Sequence, residues 1–152
     1  MKKKYNYFLG IDGGITGALA LVIPSEIKLV FPYEPNAKDL LNIYKRIVAR
    51  EGNICAVIED IWINPKQSFK NQRKYIETFF RHIYLLELFK IDYQVKPIRT
   101  WKKEFGLNSE KRLSVELAHL LFDNSEKFLG KLIKDNNEAE AVLLAEYARR
   151  IF

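Results

Sequence analysis

Phe8-Leu9-Gly10-Ile11-Asp12-Gly13-Gly14-Ile15-Thr16-Gly17-Ala18-Leu19-Ala20-Leu21-Val22-Ile23 is the stretch whose reading decides the fold. Residues 7–12 are rich in β-formers and halt at Gly13-Gly14, and Ala18 to Ile23 is a second apolar run closed by Pro24-Ser25. A third, Ile27 to Phe31, closes at Pro32. The glycine-rich turn between the first two runs predicts antiparallel hairpins. Asp12 is the anomaly, a carboxylate at the end of an apolar strand.

Outward from there, Asp39 to Glu51 has helical spacing through Leu40, Ile43, Tyr44 and Ile47, with Gly52 as its expected C-cap. Ile54-Cys55-Ala56-Val57-Ile58-Glu59 is almost continuously apolar, the signature of a strand buried on both faces. After a loop at Asn64-Pro65, residues 68–90 predict a long helix with Ile76, Phe79, Phe80, Ile83 and Leu86 on one stripe. A short strand at Tyr93-Gln94-Val95 leads to Pro97 and Trp101-Lys102-Lys103. Lys111 to Phe122 is amphipathic through Leu113, Leu117, Leu120 and Leu121, and a last helix runs from about Asn137 to Phe152. This order predicts a mixed sheet with helices on its faces, a three-layer α/β architecture. At 152 residues the expectation is one domain, residues 1–152, with no internal repeat or linker.

Composition narrows the class. Apolar residues at 48% and charged ones at 29% argue for a globular chain. No apolar stretch approaches the ~20 residues of a membrane span. The basic start Met1-Lys2-Lys3-Lys4 runs into Asp12 and glycines, unlike a signal peptide. With a lone Cys55 inside an apolar run, the expectation is a soluble, cytoplasmic protein of a bacterium or an infected host cell. Net charge is +6, unevenly placed: residues 66–103 carry 10 basic and 3 acidic side chains, while the flanking pieces are nearly balanced. Such a block fits a polyanionic partner. It fits a solvated lysine-rich face as well.

Three carboxylates fall where burial penalises them. Asp12 ends the first strand and Glu59 the fourth. Glu140 shares a helical face with Leu144, Tyr147 and Ile151, which must pack on the sheet. An unpaired buried carboxylate costs several kcal/mol, so each needs a cation or a strong donor. Clustered acids are held together by hard cations, typically Mg²⁺. Two such ions about 4 Å apart activate a water and steady a phosphodiester's leaving oxygen. Taken singly, an acid at a strand end is a turn-former or an ion-pair partner. Asp60, turned opposite Glu59, is read that way. Asp135 and Glu138, three residues apart, read as the N-terminal capping of the last helix. His82 and His119 fall on amphipathic helices and are read as surface or packing residues.

Residues 8–18 are similar to the first motif of RuvC-type Holliday-junction resolvases, and Val57-Ile58-Glu59-Asp60-Ile61-Trp62 resembles their second. Pro97-Ile98-Arg99-Thr100-Trp101-Lys102-Lys103 resembles a segment of phage and viral members, and residues 138–145 resemble the closing acidic helix. The resemblance implies an RNase H-like fold with a mixed five-stranded sheet and helices on both faces. It also implies a homodimer that nicks two opposed strands of a four-way DNA junction with two Mg²⁺ (or Mn²⁺) ions per site and no nucleotide cofactor. By that resemblance Asp12, Glu59 and Glu140 are metal-binding catalytic acids. Asn137 stands where the family has an Asp or His, with Asp135 as a compensating candidate. Trp62 matches an aromatic that wedges into the junction centre. An indole exposed on a loop can stack on unpaired bases, but Trp62 could equally be a strand-end core residue.

Lys66, Lys70, Arg73 and Lys74 follow that loop, and the last three share one helix face from which they can reach phosphates. Lys102 and Lys103 are a second candidate phosphate contact, and Trp101 beside them is read as packing. For the dimer surface the apolar side of the long helix is the candidate. Asp12 would bridge two ions, with Glu59 on one and Glu140 with Asn137 on the other. Competing readings are an RNase H-like nuclease acting on RNA or other branched DNA, and a junction-binding module with weakened catalysis. The glycine turn also fits a sugar-kinase or actin-like ATPase, but that fold needs two such domains, more than 152 residues supply.

Overall fold

The computed structural model describes residues 4–33, 37–132, 134 and 136–152. Five strands, β1 (Tyr7–Asp12), β2 (Gly17–Ile23), β3 (Glu26–Tyr33), β4 (Ile54–Glu59) and β5 (Asp92–Lys96), form one sheet in the order β3-β2-β1-β4-β5. The glycine turn makes the expected antiparallel pairing of β1 with β2, and β2 pairs antiparallel with β3. The buried β4 lies parallel to β1, and β5 parallel to β4. β3 runs through Pro32 to Tyr33 instead of stopping before it. As an edge strand it tolerates a residue without an N–H.

Helices cover both faces. On one side, α1 (Ala37–Val48) and α2 (Phe69–Leu88) bury Leu40, Tyr44, Ile47, Phe79, Leu85 and Leu86 against Leu9, Ile11, Leu19, Leu21, Ala56 and Ile58. On the other, α3 (Ile98–Glu104), α4 (Lys111–Leu121) and α5 (Asn136–Ile151) pack on Phe8, Ala18, Ala20, Val22, Cys55 and Val57. The alternation of neighbours along each strand between two cores is what a sheet covered twice requires.

Four local expectations are corrected. α1 ends at Val48, before Gly52. The Pro97–Lys103 segment, read without an element, forms α3 behind Pro97, a position that suits a residue with no N–H to bond. On α2 the buried face is Thr78, Phe79, His82, Leu85 and Leu86, so Phe80 faces outward with Tyr84 and Leu88. On α4 it is Ser114, Val115 and Ala118, which leaves Leu120 exposed. In both helices apolar residues surround most of the circumference, so spacing did not single out the inner face.

α5 is the central helix, buried along most of its length. It lies so close to β1 that a Cβ at Gly10 would overlap the Ala141 carbonyl oxygen and the Ala145 amide. That approach carries Glu140 down to the sheet.

Candidate active site

Strand order brings the first two acids together. β1 and β4 are parallel neighbours in a register that pairs Ile11 with Ile58, which sets Asp12 beside Glu59 at the same sheet edge. The alternation that sends Ile11 and Ile58 to one core sends Asp12 and Glu59 to the other face, toward α5. Glu140, in the second turn of α5, arrives from above. Asp12 is 9% exposed and Glu140 7%.

The three carboxylates act on one another. Burial, then Glu59 and Glu140, push the Asp12 carboxyl well above its usual range, opposed by the Gly14 amide and Lys102. Burial pushes Glu59 up to about 7; a hydrogen bond from Trp101 opposes this, Glu140 adds to it, and Lys102 opposes it. Each acid has a separate support. Trp101 Nε1 donates to Glu59 Oε2 at 2.8 Å. Lys102 Nζ donates to Glu140 Oε1 at 2.6 Å, and Ser114 Oγ donates to the same oxygen at 3.4 Å. Tyr33 Oη donates to the Asp12 and Gly14 carbonyls at 3.1 and 3.0 Å and pins the turn. Gly17 is required there, since a Cβ would overlap the Asp12 carbonyl oxygen.

A cleft opens beside these acids, walled by Asp12, Glu140, Asn136 and Asn137 and by the basic side chains of Arg99, Lys102, Lys103 and Lys111. Asn137 is thus on the wall, half-buried. Its neighbour Asn136 is buried, and its Oδ1 has no hydrogen-bond partner among the described residues. Asp135 lies outside the described residues. Trp62 is 68% exposed on the loop after β4, so it is not a strand-end core residue. Lys66, Lys70, Arg73 and Lys74 are exposed at the start of α2, with Arg73 paired to Glu77 at 2.8 Å. Lys103 is exposed, but Lys102 is not the free phosphate contact it was read as, because its ammonium is turned inward onto Glu140. His82 is buried beside Tyr44, 3.0 Å from its hydroxyl, which fits a packing role.

Sequence reasoning missed the support given by Trp101, Ser114 and Tyr33, and missed Asn136, Arg99 and Lys111 on the cleft wall. Trp101 was read as packing, which it does; only the position of Glu59 shows what its N–H serves.

The donor set suits a hard divalent cation: three carboxylates and an orphaned amide oxygen against one inward lysine. The posture does not yet suit one, since among the described residues no three His, Cys, Asp or Glu side chains are grouped to ligate a single ion. One of the three acids already has a cationic partner, the Lys102 ammonium on Glu140.

One consequence is measurable without any substrate. Glu59 in the folded chain takes its proton near pH 7, against 4.5 ordinarily. Between those values the folded state holds a proton that the unfolded chain has released, so this group's contribution falls as pH rises. Buried His82, lowered to about 3 by burial, works with the opposite sign between there and its usual 6.5. A comparison with Glu59→Gln isolates the carboxyl. In EDTA the variant should match the parent near pH 4.5, gain an advantage in melting temperature up to pH 7, and hold it above. A difference that stays flat from pH 4.5 to 8 would refute the assignment.

The sheet order and the helices on its two faces give the chain an RNase H-like α/β fold. No protein-family model matches the sequence, and no curated protein does. Among solved structures, a RuvC from Thermus thermophilus in complex with a Holliday junction substrate matches with a TM-score of 0.63 at 15% identity, over 94% of each chain. Thermus thermophilus RuvC also matches in a second structure, with a TM-score of 0.56 at 14% identity, over 93% of this chain and 95% of that one. At such identities the likeness establishes the fold. No helix among the described residues is long and apolar enough to cross a membrane.

Proposed function

We propose that this chain is a metal-dependent endonuclease that resolves four-way DNA junctions by paired nicks, acting as a single RNase H-like domain. The mutual influence of Asp12, Glu59 and Glu140, two of which, Asp12 and Glu140, open onto a basic-walled cleft, carries this reading. The RuvC-like fold supports it; the resemblance of residues 97–103 to a segment of phage and viral resolvases is the ground for placing it near that branch.

Asp12, Glu59 and Glu140, with Asn137 or Asn136 at the start of α5, would hold the divalent ions. Mg²⁺ bound there, or Mn²⁺, supplies an activated water and charge stabilisation for phosphodiester hydrolysis. Glu59, pushed up to about 7 by burial in the metal-free chain, would have to give up its proton to hold an ion. Arg99, Lys103 and Lys111 bring a phosphate over the acids, and Lys66, Lys70 and Lys74 hold a neighbouring arm without reading its sequence. Lys102 faces Glu140 and is spent on that acid.

The outward face of α2 supplies the dimer surface. Phe80, Tyr84 and Leu88 are half or more exposed and form a groove with Leu40 and Leu41, rimmed by Glu77 and Arg81. A two-fold axis across it would set this apolar groove against its own copy.

The test is incubation with Mg²⁺ and a four-way junction, a plain duplex or an RNA–DNA hybrid. Symmetric paired cuts in the junction alone are expected; cutting of the hybrid instead, or single nicks by a protein that stays monomeric on DNA, would refute the reading. Trp62 should matter for junctions specifically. Trp62→Ala is expected to weaken junction binding about 10- to 100-fold, the worth of one or two stacked bases, and to leave duplex binding unchanged in a mobility-shift assay with Ca²⁺. One observation favours a second reading, a junction-binding module with weak catalysis: the Lys102–Glu140 pair already satisfies an acid the ions would need. Such a module would bind junctions and leave them uncut at any Mg²⁺ concentration.

A further inference from the structure

We propose that Trp101 is a positioning residue for Glu59, one that sets which carboxylate oxygen faces the cation site; this rests on the nuclease reading. The ring is wholly buried among the residues that α4 and α5 pack on the sheet. A phenyl ring would fill most of that space. What indole adds is one N–H, a donor with no acceptor capacity, and it is spent on Glu59 Oε2 at 2.8 Å. Bonds of this kind to a carboxylate are short and strong, and a rigid ring makes them directional. With Oε2 held, Glu59 cannot spin about its terminal bond, and Oε1 is the oxygen left for a cation.

The next residue has the matching task. Lys102 holds Glu140 at 2.6 Å, so two consecutive side chains of α3 reach acids on β4 and α5, the two that act on Asp12. Successive residues on a helix point about 100° apart, which is how one short helix straddles the pocket. Lys102 brings a positive charge to Glu140, whereas Trp101 gives Glu59 a neutral donor and leaves its negative charge uncompensated by that contact.

The chain has two tryptophans, so its amide-correlation NMR spectrum shows two indole N–H signals, separable by Trp62→Phe. The Trp101 signal should exchange slowly, shift saturably as Mg²⁺ is added to the free protein, and shift in Glu59→Gln, where a neutral amide oxygen replaces the carboxylate. Trp101→Phe should weaken Mg²⁺ binding, measured by calorimetry, about 10- to 100-fold and slow single-turnover cleavage by a similar factor, the usual cost of removing a group that orients a metal ligand. Junction affinity in Ca²⁺ should not change, and Glu59→Gln/Trp101→Phe should bind Mg²⁺ no more weakly than Glu59→Gln alone.

An indole signal indifferent to both Mg²⁺ and Glu59→Gln would overturn the proposal, as would parental Mg²⁺ affinity in Trp101→Phe. If that variant does not fold, the spectrum of the parent decides alone. A parent that neither binds Mg²⁺ nor cuts junctions removes the nuclease reading and this proposal together. A parent that does both, with Glu59→Gln inactive and Trp101→Phe unaffected, removes only the role of Trp101.

Discussion

Asp12→Asn is expected to abolish junction cleavage while raising the melting temperature of the metal-free protein. The two effects have one cause. Asp12 is buried against Glu59 and Glu140, and its carboxyl is pushed well above its usual range, so the folded chain disfavours its charged form. Asn keeps the shape, removes the charge, and offers its amide to the neighbouring acids. The direction of that displacement sets the direction of the change, a rise in melting temperature in EDTA. Cleavage moves the other way. A cation-binding acid between two others supports several kcal/mol of transition-state stabilisation, and its loss costs about a thousandfold or more in rate. Melting curves and single-turnover assays on one preparation measure both. A variant that is inactive but less stable would mean that Asp12 is a structural acid with a partner of its own.

Gly10→Ala should have the largest effect on the fold. The added Cβ meets backbone, the Ala141 carbonyl oxygen and the Ala145 amide, so neither a rotamer change nor a small shift relieves it. α5 must lift from β1, and with it the packing of Ala141, Leu144 and Ala145. Overpacking a core typically costs about 1–3 kcal/mol, and a clash with backbone belongs at or beyond the upper end. A fall in melting temperature of about 10 °C is expected. Glu140 rides on the displaced turn, so cleavage should suffer even at temperatures where the variant stays folded. An equally stable Gly10→Ala protein would show that α5 does not sit this close to the sheet. Asp12→Asn stabilises and Gly10→Ala destabilises, yet both disarm the same site, which separates loss of chemistry from loss of structure.

Much of this architecture follows from the chain's own pattern. Apolar runs broken at Gly13-Gly14 and Pro24-Ser25 define the two hairpins, and the unbroken Ile54–Ile58 run marks a strand covered on both faces. Asp12, Glu59 and Glu140 stand out for the same reason: a charge in an apolar context is visible in a one-dimensional string because burial makes it costly. Trp62 needed the structure, since an aromatic at a strand end reads equally well as core or as exposed loop. The inner faces of α2 and α4 did too, because Phe80 and Leu120 lie on helices that are apolar nearly all round.

What sequence determined by itself, then, was the kind of fold, the place of its turns, and which acids are anomalous, all consequences of local pattern and of the cost of burying charge. Tertiary structure alone decided which groups answer those acids. Trp101 lies 42 residues from Glu59, and Lys102 lies 38 from Glu140. No spacing rule links such pairs, because they meet only through the parallel pairing of β4 with β1 and the seating of α3 and α5 on one face of the sheet. Whether a lysine reaches out to a phosphate or turns inward to a carboxylate is set by that three-dimensional field, and in this chain the field turns Lys102 inward.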